Sequence, residues 1–162
     1  MKAINSLLLA SLIGIELFLG IIVAKIIFYP PLGLNNTIIL DSFNSGVIMG
    51  KIFLYFAYIL LIISIFNLIY EFINLRQNYN KILKISKLIL AIFNFIIAIL
   101  FLYHYTIPIL EQQELVLQGL KAKEILKSVE FDTLHTQSEL SIKVLVLTQL
   151  VLYFLNYKNP KA

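Results

Sequence analysis

Residues 51–70 read KIFLYFAYILLIISIFNLIY, and after Lys51 the stretch carries no charge at all. At about 1.5 Å per helical residue, such a run crosses a hydrocarbon core of ~30 Å. Three similar runs lie around it. The first is Leu7 to Phe28, interrupted by Glu16 and Lys25. The third is Leu88 to Leu110, with Pro108 near its end. The fourth, Leu140 to Tyr157, contains Lys143 and Gln149. A backbone in lipid must satisfy its hydrogen bonds internally, and helices do so. The expectation is an all-α fold: a four-helix transmembrane bundle forming one integral membrane domain over residues 1–162.

Composition supports this. Of 162 residues, 60% are hydrophobic and 14% charged, with mean hydropathy +0.90. A soluble fold of this size needs more polar surface. Cysteine is absent, which excludes disulfides, thiolate metal sites and a cysteine nucleophile. Tryptophan is absent too, leaving nine tyrosines as the interfacial aromatics. The net charge of +4 forms no basic patch with interleaved aromatics, so nucleic acid is not an expected partner. Lys2 ahead of an apolar stretch resembles a secretory signal. The run is longer than a usual h-region of about 7–15 residues, and no small-x-small cleavage site follows, so a retained helix is expected. Tyr29-Pro30-Pro31 ends it, because proline cannot continue the hydrogen-bond ladder.

Basic residues fall on one side of the implied path. Arg76, Lys81, Lys84 and Lys87 lie between the second and third runs, Lys158 and Lys161 follow the fourth, and Lys2 precedes the first. The connection from Tyr29 to Gly50 has Asp41 and no lysine or arginine. The positive-inside rule then puts both termini and the middle loop in the cytoplasm, in a bacterial inner membrane. The connection from Glu111 to Thr136 has Leu115, Leu117, Leu120, Ile125, Leu126 and Val129 at mostly helical intervals, with lysines and acids between. It predicts an extra extracytoplasmic amphipathic helix between spans three and four, against a solvated hairpin. Ser6, Ala10 and Gly14, and Gly46 with Gly50, are small residues spaced by four that predict close helix contacts.

Two groups of polar residues are candidates for chemistry. Glu16 lies near mid-depth of the first run, with Asn94, Thr148, Gln149 and Ser64 at similar depth on the other three. A carboxyl at that depth is costly unless protonated, hydrogen-bonded or wet. It marks either a solute- or proton-linked centre or hydrogen bonding that fixes helix register. The second group, Lys25, Lys51, His104, His135, Ser138 and Lys143, gathers at the outer end, where Asp132 and Glu139 can pair with its members. It suits an anionic ligand, a headgroup, or haem or copper held by His104 and His135, against ordinary snorkelling and salt bridges. Two histidines make a poor copper site, and Met1 and Met49 are the only thioethers. HExxH, GxGxxG, P-loop and GxSxG motifs are absent, so nothing supports a catalytic residue.

Several short motifs resemble a bacterial four-span membrane family of unknown function, domain of unknown function 4149. They are Gly14 with Val23-Ala24-Lys25-Ile26-Ile27-Phe28, then Gly46, Gly50 and Phe53, then Pro108, and finally Phe131-x-x-Leu134-His135-x-x-Ser138. Lys25 departs from the resemblance, which favours proline there. The family is similar, more distantly, to membrane proteins of the copper-resistance D type, and that likeness implies a metal or haem hypothesis. Three classes of function follow. A structural or accessory membrane protein, with a homo-oligomer or membrane-protein partner in the bilayer, ranks first because it needs no site. A small transporter or ion-handling protein using Glu16 comes second. A haem- or copper-binding protein using His104 and His135 comes third.

Overall fold

The computed structural model describes residues 1–29, 40–77, 80–120 and 128–157, with the Glu130 side chain left aside. The described residues form helices and no strands. Four helices among them are long and apolar enough to cross a membrane. We call them α1 (Lys2–Phe28), α2 (Ser42–Asn74), α3 (Lys81–Leu117) and α4 (Val129–Tyr157). Local contacts cap α2, α3 and α4. The Asp41 carboxylate accepts from the Asn44 N–H at 2.7 Å and caps α2, and the Asn80 side chain accepts from Ile82 N–H at 3.0 Å to cap α3. At the start of α4, Ser128 Oγ accepts from Phe131 N–H at 3.2 Å. After α3, Gly119 at φ +70° lets Leu120 N–H reach Leu115 O at 2.9 Å, a Schellman ending. Lys84 folds back to donate to Leu75 O at 3.0 Å and Gln77 O at 2.7 Å, which satisfies the end of α2 and holds α3 against it.

The helices run up and down in a square, with α1 beside α2 and α4, and α3 beside the same two. Both termini of the helical chain therefore lie at one end, the terminal end, together with the α2–α3 turn. The α1–α2 and α3–α4 connections lie at the other, the loop end. The core is Leu12, Phe56, Leu60, Ala98, Leu102 and Leu145, with Phe101 edge-on to Phe53 and Phe56 at ring separations of 6.0 and 6.1 Å. A smaller layer of Leu9, Ala91 and Leu152 lies toward the terminal end. Outward faces are apolar too: Ile21, Ile62 and Leu147 are each about two-thirds exposed (65%, 67% and 64%). That is the surface of a protein whose solvent is lipid.

The structure revises three expectations. All four helices outrun the apolar stretches that announced them. The region assigned to a separate amphipathic helix is divided: residues up to Leu117 continue α3 and residues from Val129 begin α4, while 121–127 lie outside the described residues. Hydropathy falls where these segments leave the apolar layer, but helical hydrogen bonding continues until Gly119 stops it. Of the small-residue stripes, Gly50 is a close contact, since a Cβ there would meet Gln113 Oε1 at 2.9 Å and Leu110 Cδ2 at 3.0 Å. Ala10 and Gly14 face outward, and a Cβ on Gly14 meets nothing within 4 Å among the described residues, so this stripe is not a contact between the four described helices.

Two helices widen into π turns, at Leu19–Val23 in α1 and Leu100–Thr106 in α3. The second precedes Pro108, which has no N–H to give and whose ring crowds the carbonyl one turn back. Within this π turn Thr106 Oγ1 donates to Phe101 O at 2.7 Å.

Candidate functional site

The ladder of inward positions on α1 is Asn5, Leu9, Leu12 and Glu16, and on α4 it is Leu145, Gln149, Leu152 and Asn156. The two helices are antiparallel neighbours, so these stripes meet. Gln149 Nε2 donates to Glu16 Oε1 at 3.1 Å, with both side chains buried. Beside them Thr148 Oγ1 donates to Asn94 Oδ1 at 2.6 Å, joining α4 to α3. The mid-depth candidates thus form two hydrogen-bonded pairs, and Ser64 is buried on α2. Glu16 Oε2 and Gln149 Oε1 have no hydrogen-bond partner among the described residues.

Glu16 also lines the inner end of a cavity of about 1020 Å³. The cavity exists because the bundle splays at the loop end. Ala24–Phe28 packs on α2 and not on α4, and Ser45 Oγ fixes it there by donating to Ile27 O at 2.8 Å. The walls are mostly apolar, including Met49, Phe53, Phe56 and Phe101, and both π turns contribute lining residues. Gln113 reaches in from α3, and its Oε1 is a further buried acceptor without a donor among the described residues. On the rim, Ile21 and Leu147 border the outer surface between α1 and α4.

The outer-end candidates part company. His135, Ser138 and Lys143 line the cavity at its α4 wall. There His135 Nε2 and Lys143 Nζ each lie 3.4 Å from a Glu139 oxygen, a ladder one turn per step, and Ser138 Oγ donates to His135 O at 2.7 Å. All three ladder side chains are about half exposed or more, so their attraction is screened. His104 is exposed and stacks edge-on against Tyr105 at 4.9 Å, away from the lining. Lys25 and Lys51 are exposed and line no part of the cavity either. Among the described residues, no group of three or more His, Asp or Glu side chains is placed to hold a metal ion.

The sequence reading overlooked a polar cluster at the terminal end. Asn5, Asn67, Glu71, Asn74, Lys87 and Asn156 are all at most 5% exposed. Asn74 Nδ2 donates to Glu71 Oε2 at 3.4 Å, Asn156 approaches the same carboxyl from α4, and Lys87 faces it from α3. The signal was present as spacing: Asn67, Glu71 and Asn74 recur at four and three residues on one helix face. Lys87, read from the sequence as a charge of the connection between the second and third runs, is buried in this cluster.

A family model described as Domain of unknown function (DUF4149) matches residues 7–115. No curated protein and no solved structure matches the chain. The matched span includes Glu16, Gly46, Gly50, Phe53, Asn94 and Pro108, and it ends before the Phe131–Ser138 motif.

Proposed function

The chain belongs to this family of unknown function, so its activity has to be read from its own interior, and we propose that it is a multi-pass membrane protein that binds and passes an amphiphilic small molecule through the Glu16 cavity. The observation that carries this is a mostly apolar cavity of about 1020 Å³ with a buried carboxyl at its inner end. Sites for small organic molecules are concave, mainly apolar and furnished with a few orienting polar groups. Three buried acceptors at or beside the cavity lack donors among the described residues: Glu16 Oε2, Gln113 Oε1 and Gln149 Oε1. They suit a molecule with an apolar body and a donor-bearing head, an organic amine above all. The accessory reading ranks below this one because an accessory bundle has no use for such a space.

The charge asymmetry supports an orientation with the terminal end in the cytoplasm and the cavity mouth outside. A reporter fused after Tyr157 is then expected to read as cytoplasmic, and an external reading reverses the assignment. The binding test uses the purified full chain in detergent micelles with a fluorescent lipophilic amine. Wild type is expected to bind it saturably. Glu16→Leu is expected to weaken binding by about tenfold, the effect of one lost charge-assisted contact of ~1.4 kcal/mol. Equal binding by both proteins removes Glu16 from the site, and no saturable binding removes the reading.

A further inference from the structure

We propose that the inward face of α2 carries a proton path that joins Glu16, at the floor of the cavity, to Glu71 at the terminal end. The inference rests on reading the cavity as an access route and adds what moves beyond it.

Placement is the first support. Ser64, Asn67, Glu71 and Asn74 are buried on one face of α2 at intervals of three, four and three residues. Helical neighbours at that spacing stand about 5–6 Å apart at Cβ, a gap that one water bridges. Antiparallel α3 repeats the pattern. Lys87 faces Glu71, and Asn94, two turns further along α3, reaches the level of Ser64, two turns back along α2. Asn94 accepts from Thr148, whose neighbour Gln149 donates to Glu16. Polar side chains therefore recur at every turn between the two carboxyls.

The second support is independent. Along this route Glu16 Oε2, Gln149 Oε1, Asn67 Oδ1 and both amide atoms of Asn5 have no hydrogen-bond partner among the described residues. All belong to side chains at least nine-tenths buried. Residues that merely lock helix register satisfy one another. A run of buried orphans instead calls for ordered water, and a row of hydrogen-bonded waters between two carboxyls passes protons.

Asn67 is the critical step. The layer of Leu9, Ala91 and Leu152 separates the two polar regions, and Leu68, next to Asn67, packs on it. Asn67 carries the polar face of α2 past this layer. Beyond it, Asn74, which donates to Glu71, lines a smaller cavity of about 290 Å³ with Tyr70, Met1 and Lys2, and the path leaves Glu71 past Asn74. Lys87 on α3 is the charged neighbour of Glu71, with Asn156 of α4 and Asn74 of its own helix as neutral neighbours, and Lys2 on α1 acts in turn on Lys87. The transfer balances without a redox partner. Glu16 takes a proton from the cavity and releases one to the first water. Each water forms one O–H bond as it breaks another, and Glu71 takes the last proton and releases one to the terminal side.

The test places the purified full chain in liposomes that hold a pH-sensitive dye, with potassium and valinomycin to carry compensating charge. Wild type is expected to discharge an imposed pH gradient faster than protein-free liposomes. Asn67→Leu and Glu71→Gln are expected to fall to the protein-free rate, and Asn67→Gln to retain flux. A wild type no faster than empty liposomes overturns the path, as does an Asn67→Leu variant that conducts normally. Should Asn67→Leu fail to insert, Glu71→Gln, which keeps the shape and hydrogen bonding, decides in its place. Amine binding separates this inference from the cavity reading. Binding without conduction sinks the path alone, and conduction without binding sinks the cavity reading alone.

Discussion

The two ends of the bundle use similar residues in opposite ways. At the terminal end Glu71 and Lys87 are 1% and 2% exposed, packed among asparagines from α1, α2 and α4. At the loop end the ladder of His135, Glu139 and Lys143 borders a cavity, with side chains half exposed or more. Chain geometry accounts for part of the contrast. The α2–α3 turn is short, and Lys84 ties it down through two backbone carbonyls. The loop end has longer connections and two π turns, and the last turns of α1 lean onto α2 instead of α4. A charge placed at a helix end is thus buried or left open according to how tightly the neighbouring helices close, and only the buried case costs much to disturb.

That difference is open to a direct test. Glu71→Leu removes the carboxylate that Lys87 faces and the acceptor of Asn74. Breaking a buried pair on one side is expected to cost about 3–5 kcal/mol, because the remaining charge keeps its desolvation penalty. Thermal unfolding in detergent, followed by helical circular dichroism, is expected to show a large loss of stability. Adding Lys87→Met should recover most of it. If Glu71→Leu unfolds at the wild-type temperature, the terminal cluster is not the closed, interdependent unit that its burial indicates.

The spans and the all-α bundle were legible because lipid enforces them. Long uncharged runs such as 52–70 have no other stable fate in a membrane. The helix ends were less legible. Glu111–Leu117 and Val129–Glu139 are polar enough to end a hydropathy run, yet nothing in them stops a helix before Gly119 or after Ser128. For the site, depth alone grouped Glu16 with Asn94, Thr148 and Gln149, and the structure joins them by two hydrogen bonds. Depth cannot say which way a residue faces. His104 and His135 were expected at the same end, and they are there, but only His135 lines the cavity. Gly14 and Gly50 looked alike as members of small-residue stripes, yet one points outward and the other touches Gln113. Lys87 was misjudged for a related reason. Charge asymmetry counts lysines near a membrane surface without regard to the helix face that carries them, and the face of Lys87 is shared with Ala91, Asn94 and Ala98, which is the inward one.

The loop-end ladder is the mirror of the Glu71 experiment and should give the smallest effect. Glu139 meets His135 and Lys143 at 3.4 Å each, both one turn away on the same helix. Half-exposed pairs of this kind are worth about 0.2–1 kcal/mol, since water and salt screen them and ordering long side chains opposes them. Glu139→Gln keeps the length and one acceptor, so thermal unfolding is expected to move by less than the Glu71→Leu loss by several-fold. Sodium chloride should shrink the difference between Glu139→Gln and wild type, because ions reach exposed side chains and weaken their attraction far more than that of a buried pair. It should leave the Glu71→Leu deficit almost unchanged, because salt does not reach a pair inside the bundle. A salt-insensitive loss at Glu139 as large as that at Glu71 would mean that the ladder is covered when the protein sits in its membrane. The contrast between a closed and an open end would then fail at the open one.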